Sequence, residues 1–176
     1  MKQRWAMFAI GMWIAGSLII FVVATQNFRT IDRLLTESTN AAFSSQVSAI
    51  GQPASRDLLR YLSSELNRLY FQLWNAVQVP LGLLALWLLS GRPSAAKARW
   101  GVVGMLGIVA LMAVWLQPEI TSIGRSLDFV PRNPPPPALG RFWMLHGVYT
   151  VLEACKLVVG IIVAVWIGRA GGASGV

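Results

Sequence analysis

Apolar and polar positions separate into blocks along the chain. Four apolar runs stand out, at about Trp5–Ala24, Tyr70–Leu89, Trp100–Leu116 and Phe142–Gly168. A helix needs about 20 apolar residues to cross a hydrocarbon core of about 30 Å. The first run, WAMFAIGMWIAGSLIIFVVA, carries no charge and meets that length. The second and third are joined by the short polar loop SGRPSAAKAR, and the third is short at seventeen residues. The fourth is long enough to cross with tilt, although it contains Glu153 and Lys156. The pattern predicts an all-α integral membrane protein, a four-helix bundle forming one domain over residues 1–176.

The segment between the first two spans, residues 25–69, reads as an outer helical hairpin. In NFRTIDRLL, Phe28, Ile31, Leu34 and Leu35 keep helical spacing, which carries the first helix past the membrane. Ser55, after Pro53, is placed as an N-cap. Leu58, Leu59, Leu62, Leu66 and Leu69 follow as an apolar stripe without a breaker before the second span. One long helix is expected from Ser55 to Leu89, with the small, polar stretch TESTNAAFSSQVSAIGQP as the tip between the two extensions. Before the fourth span, residues 131–141 contain PRNPPPP, which predicts a stiff polyproline strut. The tail GRAGGASGV reads as flexible.

Charge adds an orientation. Lys2, Arg4, Arg92, Lys97, Arg99 and Arg169 flank the runs on one side without an acidic residue, while the other two loops mix signs. The positive-inside rule then puts both termini in the cytoplasm, as an even number of spans requires. The expected location is the inner (cytoplasmic) membrane. Lys2 and Arg4 also resemble the start of a signal peptide, but the apolar run is too long and lacks a small-residue cleavage site, so it reads as a retained span. The net charge of +8 raises nucleic-acid binding. The basic residues sit at run ends rather than on a polar face with aromatics, so nucleic acid is not an expected partner. The expected partners are the lipid bilayer and other membrane-protein subunits. Only 12% of residues are charged, which fits a surface that largely avoids water. Trp5, Trp100, Trp143 and Trp166 lie near run ends, where indole rings favour headgroups.

The chemistry of interest lies inside the runs. At about 100° per residue, His146, Thr150 and Glu153 share a face of the fourth span, with Lys156 close by. A charge at mid-span costs about 3 kcal/mol, so Glu153 and Lys156 should pair and face other helices. In the second span Glu65, Arg68, Gln72, Asn75, Gln78 and Gly82 form one broad stripe. Gln72, Asn75, Gln78, His146, Thr150, Glu153 and Lys156 are therefore predicted to form a polar intramembrane seam between the second and fourth spans. Pro80 lies within it. The seam either holds helices in register or binds or conducts something.

His146, the only histidine, could ligate a haem or a chlorophyll-type pigment. No second histidine or CxxCH motif supports haem, and no cofactor or metal is expected. The lone Cys155 reads as inert packing beside the seam. Gly101, Gly104, Gly107 and Ala110, like Gly11 and Ala15, read as packing contacts within the bundle. The chain has no Walker loop, GxGxxG, HExxH or GxSxG motif, so no catalytic residue and no enzyme activity is expected.

Arg141, Leu145, His146 and Gly147 form an Arg-x-x-x-Leu-His-Gly pattern at the start of the fourth span, and Asn27–Thr30 places a Phe-Arg step after the first. With four spans in this order, the chain resembles the transmembrane-protein-205-like domain of unknown function. The resemblance implies a four-helix membrane bundle and no established activity. The first outer loop and the Glu153–Lys156 pair depart from that family's pattern. The leading expectation is a non-catalytic accessory or scaffolding subunit of a larger membrane assembly. A small ion-coupled transporter using the seam, and a pigment- or haem-binding subunit of an electron-transfer or photosynthetic complex through His146, are the alternatives.

Overall fold

The computed structural model describes residues 1–172, so the last four residues of the tail, expected to be flexible, lie outside the described residues. The described chain is helical, without strands. Helix α1 spans Lys2–Glu37, α2 Ala41–Ile50 and α3 Gln52–Leu89. A single 3-10 turn, Pro93–Ala95, leads into α4, Ala96–Leu111. A π-helical turn, Met112–Leu116, joins α4 to α5, Gln117–Ser126, and α6 covers Ala138–Gly172. Four helical rods are long and apolar enough to cross a membrane: α1, α3, α4 continued through α5, and α6.

The rods pack in a ring. α1 lies between α3 and α6, and α4 lies between the same two. Side-chain pairs show the directions. Trp13 meets Gln78 and Asp32 meets Arg56, so α1 and α3 are antiparallel. Gln3 donates to the carbonyl of Ile167 and Ile14 meets Gly160, so α1 and α6 are antiparallel as well. An apolar core fills the end where α1 begins, around Ala6, Ile10, Trp13, Ala85, Leu89, Val102, Met105, Val163 and Ile167. A second, smaller core of Met112, Leu116, Leu145 and Tyr149 lies further along. The outward faces are apolar too, with Phe8, Ile19, Leu73, Leu83, Trp100, Val114, Trp143 and Val151 exposed. Such a surface suits a lipid solvent rather than water.

The third run does not stop at Leu116. Pro118 lacks a backbone N–H and would crowd the carbonyl one turn earlier. The π turn before it widens the ladder, with the Gln117 N–H bonding to the carbonyl of Met112, and the rod continues to Ser126. The entry into α3 also differs from expectation. Gly51, at φ 93°, both ends α2 and precedes α3, a conformation that suits a residue without Cβ. Pro53 occupies the first turn. Ser55 is thus inside the helix rather than its N-cap, and its buried hydroxyl has no partner. Asn40 caps α2 instead, accepting from the Phe43 N–H at 3.0 Å. The lead into α6 bends at residues 133–134, so residues 131–137 are not one straight polyproline strut.

Beyond the apolar runs, α1 and α3 stay paired through a polar seam. Asn27 donates to Asn67 (2.6 Å), Asn67 donates to the carbonyl of Ala24 (3.1 Å) and Ser63 donates to the carbonyl of Asn27 (3.4 Å). The expected apolar stripe of α3 is split here: Leu58, Leu62 and Leu69 face outward, 51%, 55% and 46% exposed, while Leu59 and Leu66 are half-buried. The small-residue pattern is also corrected. Gly104, Gly107 and Gly11 border open space, and Gly104, Gly107, Ala110, Gly11 and Ala15 are exposed. Only Gly101 of that series meets a neighbour, Val163. The close approaches are at Gly16 against Trp74, Gly82 against Leu106 and Trp13, and Gly160 against Ile14 and Met105.

Candidate functional site

Between the two apolar cores lies one connected polar cluster. Lys156 of α6, 1% exposed, points its ammonium inward. It donates to Glu153 Oε2 at 2.7 Å, one turn earlier on the same helix, and to Gln78 Oε1 of α3. The same Gln78 oxygen accepts from Trp13 Nε1 of α1 at 2.8 Å. Gln78 Nε2 donates to Asn75 Oδ1 at 3.1 Å. Asn75 Nδ2 donates to Gln117 Oε1 at the start of α5. Every rod of the bundle therefore supplies a member.

The hydrogen bonds are directional. The carboxylate neutralises the ammonium, the amides relay the polarity away from it, and the chain ends at Gln117 Nε2, buried and without a partner. Desolvating an ammonium is costly unless charge and hydrogen bonds compensate it. Gln78 is 0% exposed and Asn75 3%, so the compensation comes from protein groups.

Four of the seven predicted seam residues meet here: Asn75, Gln78, Glu153 and Lys156. The other three do not. Gln72 is exposed on α3. His146 is exposed on α6, its ring stacked on Phe142 at 5.6 Å and edge-on to Trp143 at 5.9 Å. Thr150 is exposed and donates to the carbonyl of His146 in its own helix (2.9 Å). The error is one of phase. The buried line of α6 runs through Leu145, Tyr149, Lys156, Gly160, Val163 and Ile167. Ten residues of helix put His146 about 80° away from Lys156, whereas Tyr149, seven away, stays within about 20°. Cys155 is likewise exposed, not packed beside the seam.

Trp13 and Gln117 were missed in the sequence. Gln117 carried a usable signal: it is the first polar side chain of the third run, and only the assumption that the run ends there hid it.

A second cluster lies toward the α2 end, outside the apolar runs. Arg68 bonds Asp128 in a fork, Nη1 to Oδ2 at 2.9 Å and Nη2 to Oδ1 at 3.2 Å, and also bonds Glu65. Arg125 reaches both Glu65 oxygens at 3.3 Å. The Arg125 hydrogen bond, helped by those and the charge of Arg68 and opposed by partial burial, holds the Glu65 carboxyl below its usual range. Burial works against the Arg68 charge, but the hydrogen bonds it donates to Asp128 and Glu65, with the charges of those carboxylates, outweigh it and raise the pKa. Arg141 pairs with Glu119 at 2.6 Å nearby.

Two surface pockets, of about 280 Å³ at the α1–α2 tip and about 330 Å³ beside Glu65 and Arg125, are lined by no member of the Lys156 cluster. Among the described residues no three of His, Cys, Asp and Glu come together as a metal site. No family model, curated protein or solved structure matches the chain.

Proposed function

We propose that this chain is a four-span membrane protein of the inner (cytoplasmic) membrane, with both termini cytoplasmic, acting as a non-catalytic accessory or scaffolding subunit of a larger membrane assembly. With the apolar runs in the bilayer, α1 continues for thirteen residues beyond Ala24, about 20 Å of helix, beside the first half of α3 and capped by α2. This is the outer hairpin.

The observation that carries the reading is the leucine face of that hairpin. Leu58, Tyr61, Leu62 and Leu69 are exposed on a part of α3 that lies outside the apolar run, while Ser63 and Asn67 of the same segment are turned inward against α1. Apolar faces in water are covered by partners. The Lys156 cluster supports the same reading. Its charges and all but one of its amide groups are satisfied within the bundle, the exception being Gln117 Nε2, as a device that fixes helix register requires.

The test is a photoreactive amino acid at Leu62 of the full chain in its native membrane. One protein adduct of defined mass, absent when the label is moved to exposed Glu37, is the expected result. A purified monomer that forms no protein adduct and extracts with nothing attached overturns the reading.

A further inference from the structure

The two ends of the bundle carry charge differently. Eight basic residues share the α2 end with six carboxylates, and Arg56, Arg68, Arg125 and Arg141 are ion-paired there. The other end, where α1 and α4 begin and α3 and α6 finish, collects Lys2, Arg4, Arg92, Lys97, Arg99 and Arg169. It has no carboxylate side chain in sequence, and among the described residues none of the six makes an ion pair.

Two of these cations are held by neutral partners. Lys2 Nζ sits 5.2 Å from the centre of the Trp87 ring, and Arg92 Nη1 donates to Gln3 Oε1 at 3.4 Å. Gln3 in turn donates to the carbonyl of Ile167, which ties the N-terminus of α1 to the end of α6. These contacts position the charges without neutralising them. Lys2, Arg4, Lys97 and Arg169 are exposed, and exposed Trp5, Trp87 and Trp100 lie beside them. Cations without an ion pair among the described residues, next to indole rings at the rim of an apolar surface, complement a lipid phosphate over its acyl chains.

We propose that this end is a docking surface for anionic phospholipid headgroups, gathered by Arg92, Lys97 and Arg99 with Lys2. The proposal rests on the membrane reading above. Each cation near a headgroup adds attraction that multiplies the preference for an anionic over a zwitterionic lipid.

The test uses the full chain in detergent micelles containing equal parts of phosphatidylglycerol and phosphatidylcholine, with retained lipid identified by native mass spectrometry. Wild type is expected to retain phosphatidylglycerol preferentially, and the preference should fall as ionic strength rises. In K97Q/R99Q, which removes no side-chain hydrogen bond or ion pair among the described residues, it should drop by about tenfold at low salt. R92Q should lower it further, and R29Q/R33Q at the other end should leave it unchanged. Equal retention of the two lipids by wild type overturns the proposal, as does a loss caused equally by both double variants. Displacement of phosphatidylglycerol by inorganic phosphate at matched ionic strength also overturns it, and assigns the cations to a soluble anion. Failure of the membrane reading looks different: no lipid of either kind is retained, and alkaline carbonate alone releases the chain from membranes.

Discussion

The Lys156 and Arg68 clusters solve the same problem in different surroundings. Each satisfies a cation withdrawn from water, with side-chain exposures of 1% for Lys156 and 12% for Arg68. Lys156 takes its carboxylate from its own helix and its other acceptor from a neutral amide on α3. Arg68 has a local carboxylate too, Glu65, but its forked partner Asp128 lies sixty residues away after α5. Charge near water is matched by more charge, which solvent screens. Charge deep among apolar side chains is matched by one opposite charge and then by dipoles, because every further ion would need its own compensation.

Breaking the deeper cluster should cost most. Glu153→Gln leaves the Lys156 ammonium without its counter-charge and is expected to destabilise the bundle by about 3 kcal/mol, read from thermal unfolding in detergent. Lys156→Met should cost a similar amount by stranding Glu153. The double variant should recover most of the loss, since replacing a buried pair by groups of similar volume is often neutral. Additive losses would show that the two side chains do not act as a pair. Arg68→Gln should cost less, about 1–2 kcal/mol, because Glu65 and Asp128 regain water. A larger loss for Arg68 than for Glu153 would reverse the comparison.

The two clusters differ in how visible they were in the sequence. Helix periodicity revealed the apolar rods, and it paired Glu153 with Lys156 because both lie on one helix three residues apart. It revealed Asn75 and Gln78 for the same reason. It misplaced His146, Thr150 and Gln72, because a stripe drawn through several polar residues has no independent marker of which one faces the core. The tie between Arg68 and Asp128, and the arrival of Gln117 beside Asn75, depend on α5 continuing the third rod past Pro118. That continuation rests on a π turn, which periodicity at 3.6 residues per turn does not encode.

Acid should act on the outer cluster through Glu65. Its pKa is lowered in the fold, chiefly by Arg125, so its contribution is fully present above the ordinary carboxylate range and is lost as pH falls through its own, lower value. Thermal stability of wild type and Glu65→Gln should therefore differ at neutral pH and converge on acidification, by less than the Arg68 effect because only one carboxylate is involved. The sign is the test: a difference that grows on acidification would mean that the folded state binds the Glu65 proton more tightly than the unfolded chain does.

The smallest effects should mark the edge of the inner cluster. Gln72→Leu and His146→Leu remove polar groups that have no side-chain hydrogen bond within the described residues and lie outside the Lys156 cluster, so each should change the isolated protein's stability by no more than about 0.5 kcal/mol. Both positions sit only a few residues inside the charged rim, four from Arg68 and five from Arg141. Solvent at an exposed position can satisfy an amide or an imidazole without help from the bundle. If either substitution costs as much as Glu153→Gln, the polar core is wider than the chain of hydrogen bonds from Glu153 to Gln117. If the isolated protein is unaffected but the photoadduct at Leu62 is lost in His146→Leu, a partner reaches down from the leucine face to the α6 surface, and the histidine belongs to that contact rather than to the fold.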